Sequence, residues 1–149
     1  MAIKNYTAQK SVVIVAAEIE QNLIDNGAVE IRKDITDGKI TALKFIIPTR
    51  MGMIPIQLPV NVQGVLKVLE NDKKTNRRVK VTFDQAEKTA WANLRDWVDS
   101  QIALIRIGMV DMEQVFLPYV VGADGRTLYE VAASRGFFLE SSDKEKYNG

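Results

Sequence analysis

The sequence predicts an α+β fold in which a three-stranded antiparallel meander sheet packs against a long helix. Two long segments repeat apolar residues at helical spacing, one near the amino terminus and one in the second half of the chain. Between them, three short runs alternate apolar and polar residues and are separated by turn residues. The expected element order is α-β-β-β-α-α-α. At 149 residues, the chain 1–149 is expected to form a single domain.

The first helix is predicted over residues 11–26. Ser11 is the expected N-cap, and apolar residues follow it at spacings of three and four. The pair Asn26-Gly27 is a natural stop, because glycine accepts the left-handed conformation in which many helices end. We therefore expect one amphipathic helix before the sheet.

Three strands are predicted next. Asp37-Gly38 predicts a tight turn that leads into a second strand over 40–47, which Pro48 is expected to end. The third strand is expected over 53–58. Because Pro55 has no amide hydrogen, this strand should lie at the edge of the sheet. The side chains expected on the buried face are Leu43, Phe45, Ile47, Ile54, Ile56 and Leu58.

A long helix is predicted over 83–110, and Thr82 with Gln85 forms an expected capping box at its start. Trp91 falls on the apolar stripe of this helix, which favours a place in the core over a role in binding. Trp97 is expected at the edge of that stripe. Six residues separate the two rings, so they point in different directions and cannot form one stacking platform.

Shorter elements surround the long helix. A short helix is predicted over 61–70, and a last one is expected to start at a capping box formed by Thr127 and Glu130. Residues 116–119 are interpreted as an apolar loop that packs back on the core. The polar segment 140–149 is expected to be a frayed tail.

The composition excludes most familiar active sites. The chain has no histidine and no cysteine, so Ser-His pairs, thiolate nucleophiles, disulfides and imidazole or thiolate metal sites are all excluded. Neither a P-loop motif nor a dinucleotide-binding glycine motif is present. We therefore expect a protein that is not an enzyme and needs no cofactor. The cysteine-free sequence lacks a signal-peptide or membrane-span pattern, which predicts a cytoplasmic location.

Basic residues are concentrated in one segment of an otherwise neutral chain. Overall, 20 Lys and Arg balance 19 Asp and Glu, but residues 71–82 hold five basic residues and one acidic residue. We interpret this segment as an exposed loop whose cations bind nucleic-acid phosphates; the alternative is a solvated loop that only aids solubility. The predicted contact residues are Lys73, Lys74, Arg77, Arg78 and Lys80, with Arg50 and Lys44 as contributors from the sheet.

Two other features carry weaker hypotheses. Asp96 and Asp99 are three residues apart and could share a helix face that holds magnesium, but Arg95 and Arg106 lie near enough to neutralise them. Apolar material at the edge strand, at 116–119 and at 136–139 could form an assembly surface of a homo-oligomer. The alternative is that these segments fold back onto the sheet.

Five segments of the chain form a set of short motifs: residues 2–7 (AIKNYT), 58–59 (LP), 90–98 (AWANLRDWV), 115–119 (VFLPY) and 125–130 (GRTLYE). Together they resemble a family of small, largely uncharacterised bacteriophage and prophage proteins. The resemblance runs almost from end to end and implies a phage-encoded protein that acts in the bacterial cytoplasm. It implies no particular activity or functional residue.

The predicted order of strands and helices is also similar to the β-β-β-α core of Rad52-like single-strand annealing proteins. This likeness rests on element order alone, and one fold hosts many functions. It agrees with the basic segment, because such proteins bind the phosphate backbone without metal or nucleotide cofactor. The leading expectation is a phage accessory protein of DNA metabolism that binds single-stranded nucleic acid as an oligomer. The alternatives are a factor that binds a host or phage protein, including an anti-defence factor, and a magnesium-dependent nuclease.

Overall fold

The computed structural model describes residues 1–136 and has the α+β class and the three-stranded sheet that the sequence predicts. The predictions for the tail 140–149 and for the apolar surface at 136–139 lie largely outside the described residues. The elements are α1 (Val12–Asp25), β1 (Glu30–Thr36), β2 (Lys39–Thr49), β3 (Gly52–Gln57), α2 (Val62–Lys73), α3 (Phe83–Ile107), α4 (Met112–Phe116), a 3-10 turn (Leu117–Tyr119) and α5 (Leu128–Ser134).

The sheet is an antiparallel meander in the order β1-β2-β3. Asp37 and Gly38 join the first two strands with positive φ angles of 51° and 76°, which is the conformation that a two-residue hairpin turn requires. The predicted face of β2 is confirmed, because Leu43, Phe45 and Ile47 are all buried. The register of β1 on β2 is regular from Glu30 to Asp34 and shifts by one residue between Asp34 and Ile35.

The two prolines of the sheet behave differently from one another. Pro48 was expected to end β2, but the strand continues to Thr49 and Pro48 pairs with Met53 of β3. The Ile46 carbonyl accepts from the Val29 amide on the β1 side of β2. Backbone groups two residues apart in a strand point the same way, so the Pro48 nitrogen also points to that side. Because β1 starts opposite Ile46, it has no residue opposite Pro48 that needs an amide hydrogen. Pro55 lies on the edge strand as predicted, and its carbonyl accepts a bond from the Val121 amide on the outer side.

Helices α1 and α3 cover one face of the sheet and run in the same direction. The Glu18 carboxylate of α1 pairs with Arg95 of α3 at 3.2 Å, and four residues on, Asn22 donates to Asp99 at 2.9 Å. Trp91 is fully buried between these layers, and Trp97 lies half-buried at their edge, as predicted. The main core is therefore built by α3 against the sheet and α1.

A second, smaller core cluster lies between α2 and the amino-terminal end of α3. Its buried residues are Leu69, Val79 and Ala86, and Ile3 and Tyr6 of the amino-terminal segment pack against them. The chain before α1 is therefore part of the folded structure. In the described residues 1–136, no helix is long and apolar enough to cross a membrane.

Two helix boundaries differ from the predictions. α3 ends at Ile107 and not at residue 110, because Gly108 adopts a left-handed conformation with φ 88°. Thr82 caps the start of α3 by accepting from the Gln85 amide, but the Gln85 side chain does not complete the predicted capping box. It points along the helix to other partners, which are described below.

The segment after α3 contains the helix α4, which was not predicted and which ends at Phe116, the first residue of the predicted apolar loop. Asp111 and Gln114 form a capping box at its start, and Phe116 at its end is fully buried. The Phe116 ring makes edge-to-face contacts with Phe45 at 5.3 Å and Trp97 at 5.8 Å between centroids. The predicted packing of this apolar segment on the core is confirmed through Phe116. The second predicted capping box, Thr127 with Glu130, is present.

We expect Phe116→Ala to lower the free energy of unfolding by about 3–5 kcal/mol, because it removes a buried ring and leaves a cavity beneath two aromatic neighbours. Urea unfolding followed by tryptophan fluorescence measures the change. The matched control is Leu117→Ala, whose side chain is 41% exposed, and it should cost less than about 1 kcal/mol. Equal losses in the two variants would contradict the central place of Phe116.

Candidate nucleic-acid interface

The basic segment connects α2 to α3 and exposes all of its cationic side chains. Lys73 belongs to α2, which extends three residues beyond the predicted end at residue 70. Lys74 is the C-cap of that helix, and Arg77, Arg78 and Lys80 follow in the turn that leads to α3. The predicted exposure of the segment is therefore confirmed for all five side chains, although part of it is helical.

The backbone of the segment is held at several points. Val79 is fully buried in the small core cluster, between two exposed cations. The Asn76 carboxamide oxygen accepts from the Arg78 amide at 3.0 Å, and the Asp72 carboxylate accepts from the Ile3 amide at 2.8 Å. The basic side chains thus project from a turn that is anchored to the core.

The five cations of the segment form no ion pair with a carboxylate of residues 1–136. Among the described residues, no carboxylate lies within 4.0 Å of the charged groups of Lys73, Lys74, Arg77, Arg78 or Lys80. The one acidic residue of the segment, Asp72, is bonded to the amino-terminal backbone. A group of exposed like charges without counter-charges creates the local positive potential that attracts anions.

The two expected contributors from the sheet lie elsewhere. The Lys44 ammonium is 3.1 Å from the Asp34 carboxylate on the neighbouring strand β1, so its charge is already matched. Arg50 is exposed in the turn after β2, whereas Lys39 at the start of β2 contacts α3 near the basic segment. Eleven residues of extended strand, roughly 36 Å, separate Arg50 from Lys39. The structure therefore does not bring Arg50 to the basic segment.

A groove of about 380 Å³ runs beside the basic segment, between the amino-terminal segment and the start of α3. It adds Lys88 of α3 to the cations Arg78 and Lys80. Asp84 is the one carboxylate in its lining, and it is 2.9 Å from the Lys88 ammonium. The hydrogen bond from Lys88, helped by the charges of Lys39 and Lys80, lowers the pKa of Asp84 below its usual value. The lining residues are Tyr6, Thr7, Ala8, Gln9, Arg78, Lys80, Thr82, Asp84, Gln85 and Lys88.

One wall of this groove is held by a row of polar side chains on α3. The Gln85 carboxamide donates to the Ala8 carbonyl at 3.0 Å, and the Thr89 hydroxyl donates to the Asn5 carbonyl at 2.9 Å. One turn further, the Asn93 carboxamide donates to the Lys4 carbonyl at 2.8 Å. Residues 85, 89 and 93 repeat every four positions, so they lie along one face of α3.

This row of polar residues was not predicted from the sequence. The available signal was the four-residue repeat of uncharged polar side chains beside the apolar stripe of α3. Such side chains on a buried helix face need hydrogen-bond partners, and the backbone of the amino-terminal segment supplies them. In the described part of the chain, no buried side-chain nitrogen or oxygen atom is left without a hydrogen bond.

Asp96 continues the row and has three partners. Burial alone would raise its pKa, but hydrogen bonds from Asn5, Lys4 and Arg95 outweigh burial, and the pKa lies below the usual 3.8. Asp99 accepts from Asn22 on α1. The two carboxylates proposed for magnesium thus have separate partners, and residues 1–136 hold no group of three acidic side chains suited to a metal. The structure gives the nuclease hypothesis no support.

An exposed aromatic ring stands on the other side of the α3 start. Phe83 is the first residue of α3 and is 43% exposed. The Lys39 ammonium lies over its ring, 4.8 Å from the centroid. The ring therefore adds an apolar surface next to the basic segment, which itself contains no aromatic residue.

Comparison with known proteins gives no relative for this chain: no protein-family model, no curated protein and no solved structure matches it.

We expect Asp96→Asn to destabilise the protein by about 1–2 kcal/mol at pH 7, because it removes a charged acceptor from three donors at a partly exposed site. The folded-state pKa of Asp96 is lowered, so its contribution is present above pH 4 and is lost as the pH falls through that lowered pKa. Urea unfolding at pH 7 and near pH 3 should show the gap between variant and wild type shrinking. Asp25→Asn, at an exposed carboxylate bonded only within α1, is the control and should cost little at either pH.

Proposed function

We propose that this protein binds single-stranded nucleic acid as a non-enzymatic accessory protein of phage DNA metabolism. One observation carries the proposal: five exposed cations, none of which forms an ion pair within the described residues, project from an anchored turn beside a cationic groove. The resemblance to bacteriophage proteins supports the phage origin, and with it a place of action in the bacterial cytoplasm.

The charge distribution supports binding to a phosphate backbone. The chain as a whole carries a formal charge of +1, so nonspecific attraction by net charge is weak and any polyanion must bind locally. Most basic residues outside the segment, among them Lys4, Lys33 and Arg95, are paired with carboxylates. The unpaired cations are therefore concentrated where α2 meets α3.

The surroundings of the segment support a single strand over a duplex. The groove is lined mostly by polar residues, and Phe83 offers an exposed ring on which an unpaired base could stack. Base pairs in a duplex expose no free ring face along the helix. We propose that phosphates bind Lys73, Lys74, Arg77, Arg78 and Lys80 while a base lies against Phe83.

Reversing the charge of Arg77 and Arg78 (R77E/R78E) should abolish binding of a fluorescein-labelled oligothymidine, measured by fluorescence anisotropy. The wild type should lose about 100-fold in affinity between 50 and 200 mM salt if five cations neutralise phosphates, because each contact adds about −0.7 to the salt slope. Both substituted side chains are exposed, so the circular dichroism spectrum and thermal unfolding of the variant should match the wild type.

The matched control is R50E/R106E, which makes the same charge change at two exposed arginines. Arg106 lies in the last turn of α3, about 35 Å along the helix from Phe83, and Arg50 lies in the distant β2–β3 turn. The control should keep near wild-type affinity. Full affinity in R77E/R78E would contradict the assignment of the segment. Absence of binding by the wild type even at low salt would contradict the function itself and favour the alternative role in binding a host or phage protein.

Phe83→Ala should weaken oligothymidine binding about 5- to 100-fold, because stacking of one base on an aromatic ring contributes about 1–3 kcal/mol. The salt slope should stay unchanged, since no cation is removed. Phe83→Trp, which keeps an aromatic ring at this position, should bind about as tightly as the wild type. The base-stacking part of the proposal would be wrong if Phe83→Ala bound as tightly as the wild type.

A further inference from the structure

The solvent-facing side of α1 is apolar. Val13, Ile14 and Ile24 are 66%, 52% and 51% exposed, and Ala17 between them is exposed as well. At 100° per residue these four side chains fall on one side of the helix, opposite the buried Val15, Ile19 and Leu23. A surface helix normally presents charged residues on that side, and a helix that is apolar on both sides is normally buried.

The glutamates of α1 do not make this surface polar, because they form ion pairs with other residues of the same chain. Glu18 pairs with Lys10 and Arg95, and Glu20 pairs with Lys33 at 3.0 Å. These contacts lie on the flanks of α1, where it meets α3 and β1. The lone polar side chain in the middle of the apolar side is Gln21, which donates to Asp25.

The charge distribution at the two ends of α1 indicates which partner covers this surface. The first turn of α1 holds no acidic residue and the last turn holds no basic residue, so neither end of the helix dipole is balanced by charged side chains of its own terminal turns. The best complement is a second helix of the same kind lying antiparallel, with its carboxyl end beside the amino end of the first. We infer that α1 forms the interface of a symmetric, antiparallel homodimer.

The spacing along α1 is self-complementary in this arrangement. A two-fold axis that passes near residue 19 places Ile14 of one copy opposite Ile24 of the other, and Ala17 opposite Gln21. The small Ala17 leaves room for the longer Gln21.

The size of the α1 surface predicts a weak dimer, and the directions of the helices predict where its two basic segments lie. One face of a 14-residue helix is smaller than the ~800 Å² per partner of a standard interface, so the dimer should dissociate on dilution. α1 and α3 run in the same direction, and the basic segment lies at their amino-terminal end. The two basic segments of the dimer therefore point to opposite ends. Dimer formation through α1 does not require nucleic-acid binding.

Sedimentation equilibrium across a range of concentrations tests this inference. The wild type should shift with concentration from the 16.7 kDa chain to twice that mass. Ile24→Glu should stay monomeric, because it places a charge in the apolar interface. The matched control Ile35→Glu, at an isoleucine 67% exposed on β1, should dimerise like the wild type. A wild type that stays monomeric at the highest concentration, or equal dimerisation of I24E and wild type, would overturn the inference.

Cysteine crosslinking tests the antiparallel register independently of any destabilisation by Ile24→Glu. The chain has no native cysteine, so introduced thiols report only on their own positions. A17C/Q21C should oxidise to a covalent dimer, because residues 17 and 21 face each other across the axis and a disulfide needs Cα atoms about 4.4–6.8 Å apart. The single variants A17C and Q21C should crosslink far less. Crosslinking of the single variants as efficient as that of the double variant would indicate a parallel dimer and overturn the inference.

Discussion

Helix α3 supports nearly every other part of the protein. One of its faces buries Trp91 and Val98 in the main core against the sheet, and its amino-terminal turn buries Ala86 against α2. A third face carries the polar row that begins at Gln85 and binds the backbone of residues 4–8. Since three surfaces of one 25-residue helix are occupied by different partners, the relative positions of the sheet, α2 and the amino-terminal segment are fixed by it.

The candidate interface is a consequence of this arrangement. The amino-terminal segment forms one wall of the groove because the amide and hydroxyl groups of α3 hold it there. Val79 is buried in the small core cluster. Because its side chain points inward, the neighbouring cations in the turn between α2 and α3 point outward. Burial of one apolar residue within a charged segment thus fixes the direction in which the neighbouring side chains Arg78 and Lys80 point.

Charge is distributed unevenly over the molecule although the total is close to zero. On the sheet and along α1 and α3, basic residues are matched by carboxylates, and such exposed pairs add little stability each. Between residues 73 and 80 the cations form no ion pair with any carboxylate in the part of the chain that the structure describes. On the outer side of α1 charge is nearly absent. These two departures from an ordinary mixed surface are the features that most suggest binding partners, a polyanion at one and a second copy of the chain at the other.

The class of fold, the three-stranded meander, the buried faces of β2 and α3 and the exposed basic segment were all predictable from the sequence alone. These features depend on local periodicity and turn residues such as Asp37-Gly38, which act within a few positions of the chain. Three other features became visible only in the folded structure. The strand β2 runs past Pro48, and Arg50 lies far from the basic segment. The Gln85 side chain donates to the Ala8 carbonyl and does not complete the predicted capping box. Each of these outcomes depends on a neighbour distant in sequence: where β1 begins opposite β2, which end of the sheet meets α3, and which backbone passes beside a polar helix face. Such neighbours leave no local pattern, and for that reason the fold class was predictable while the groove was not.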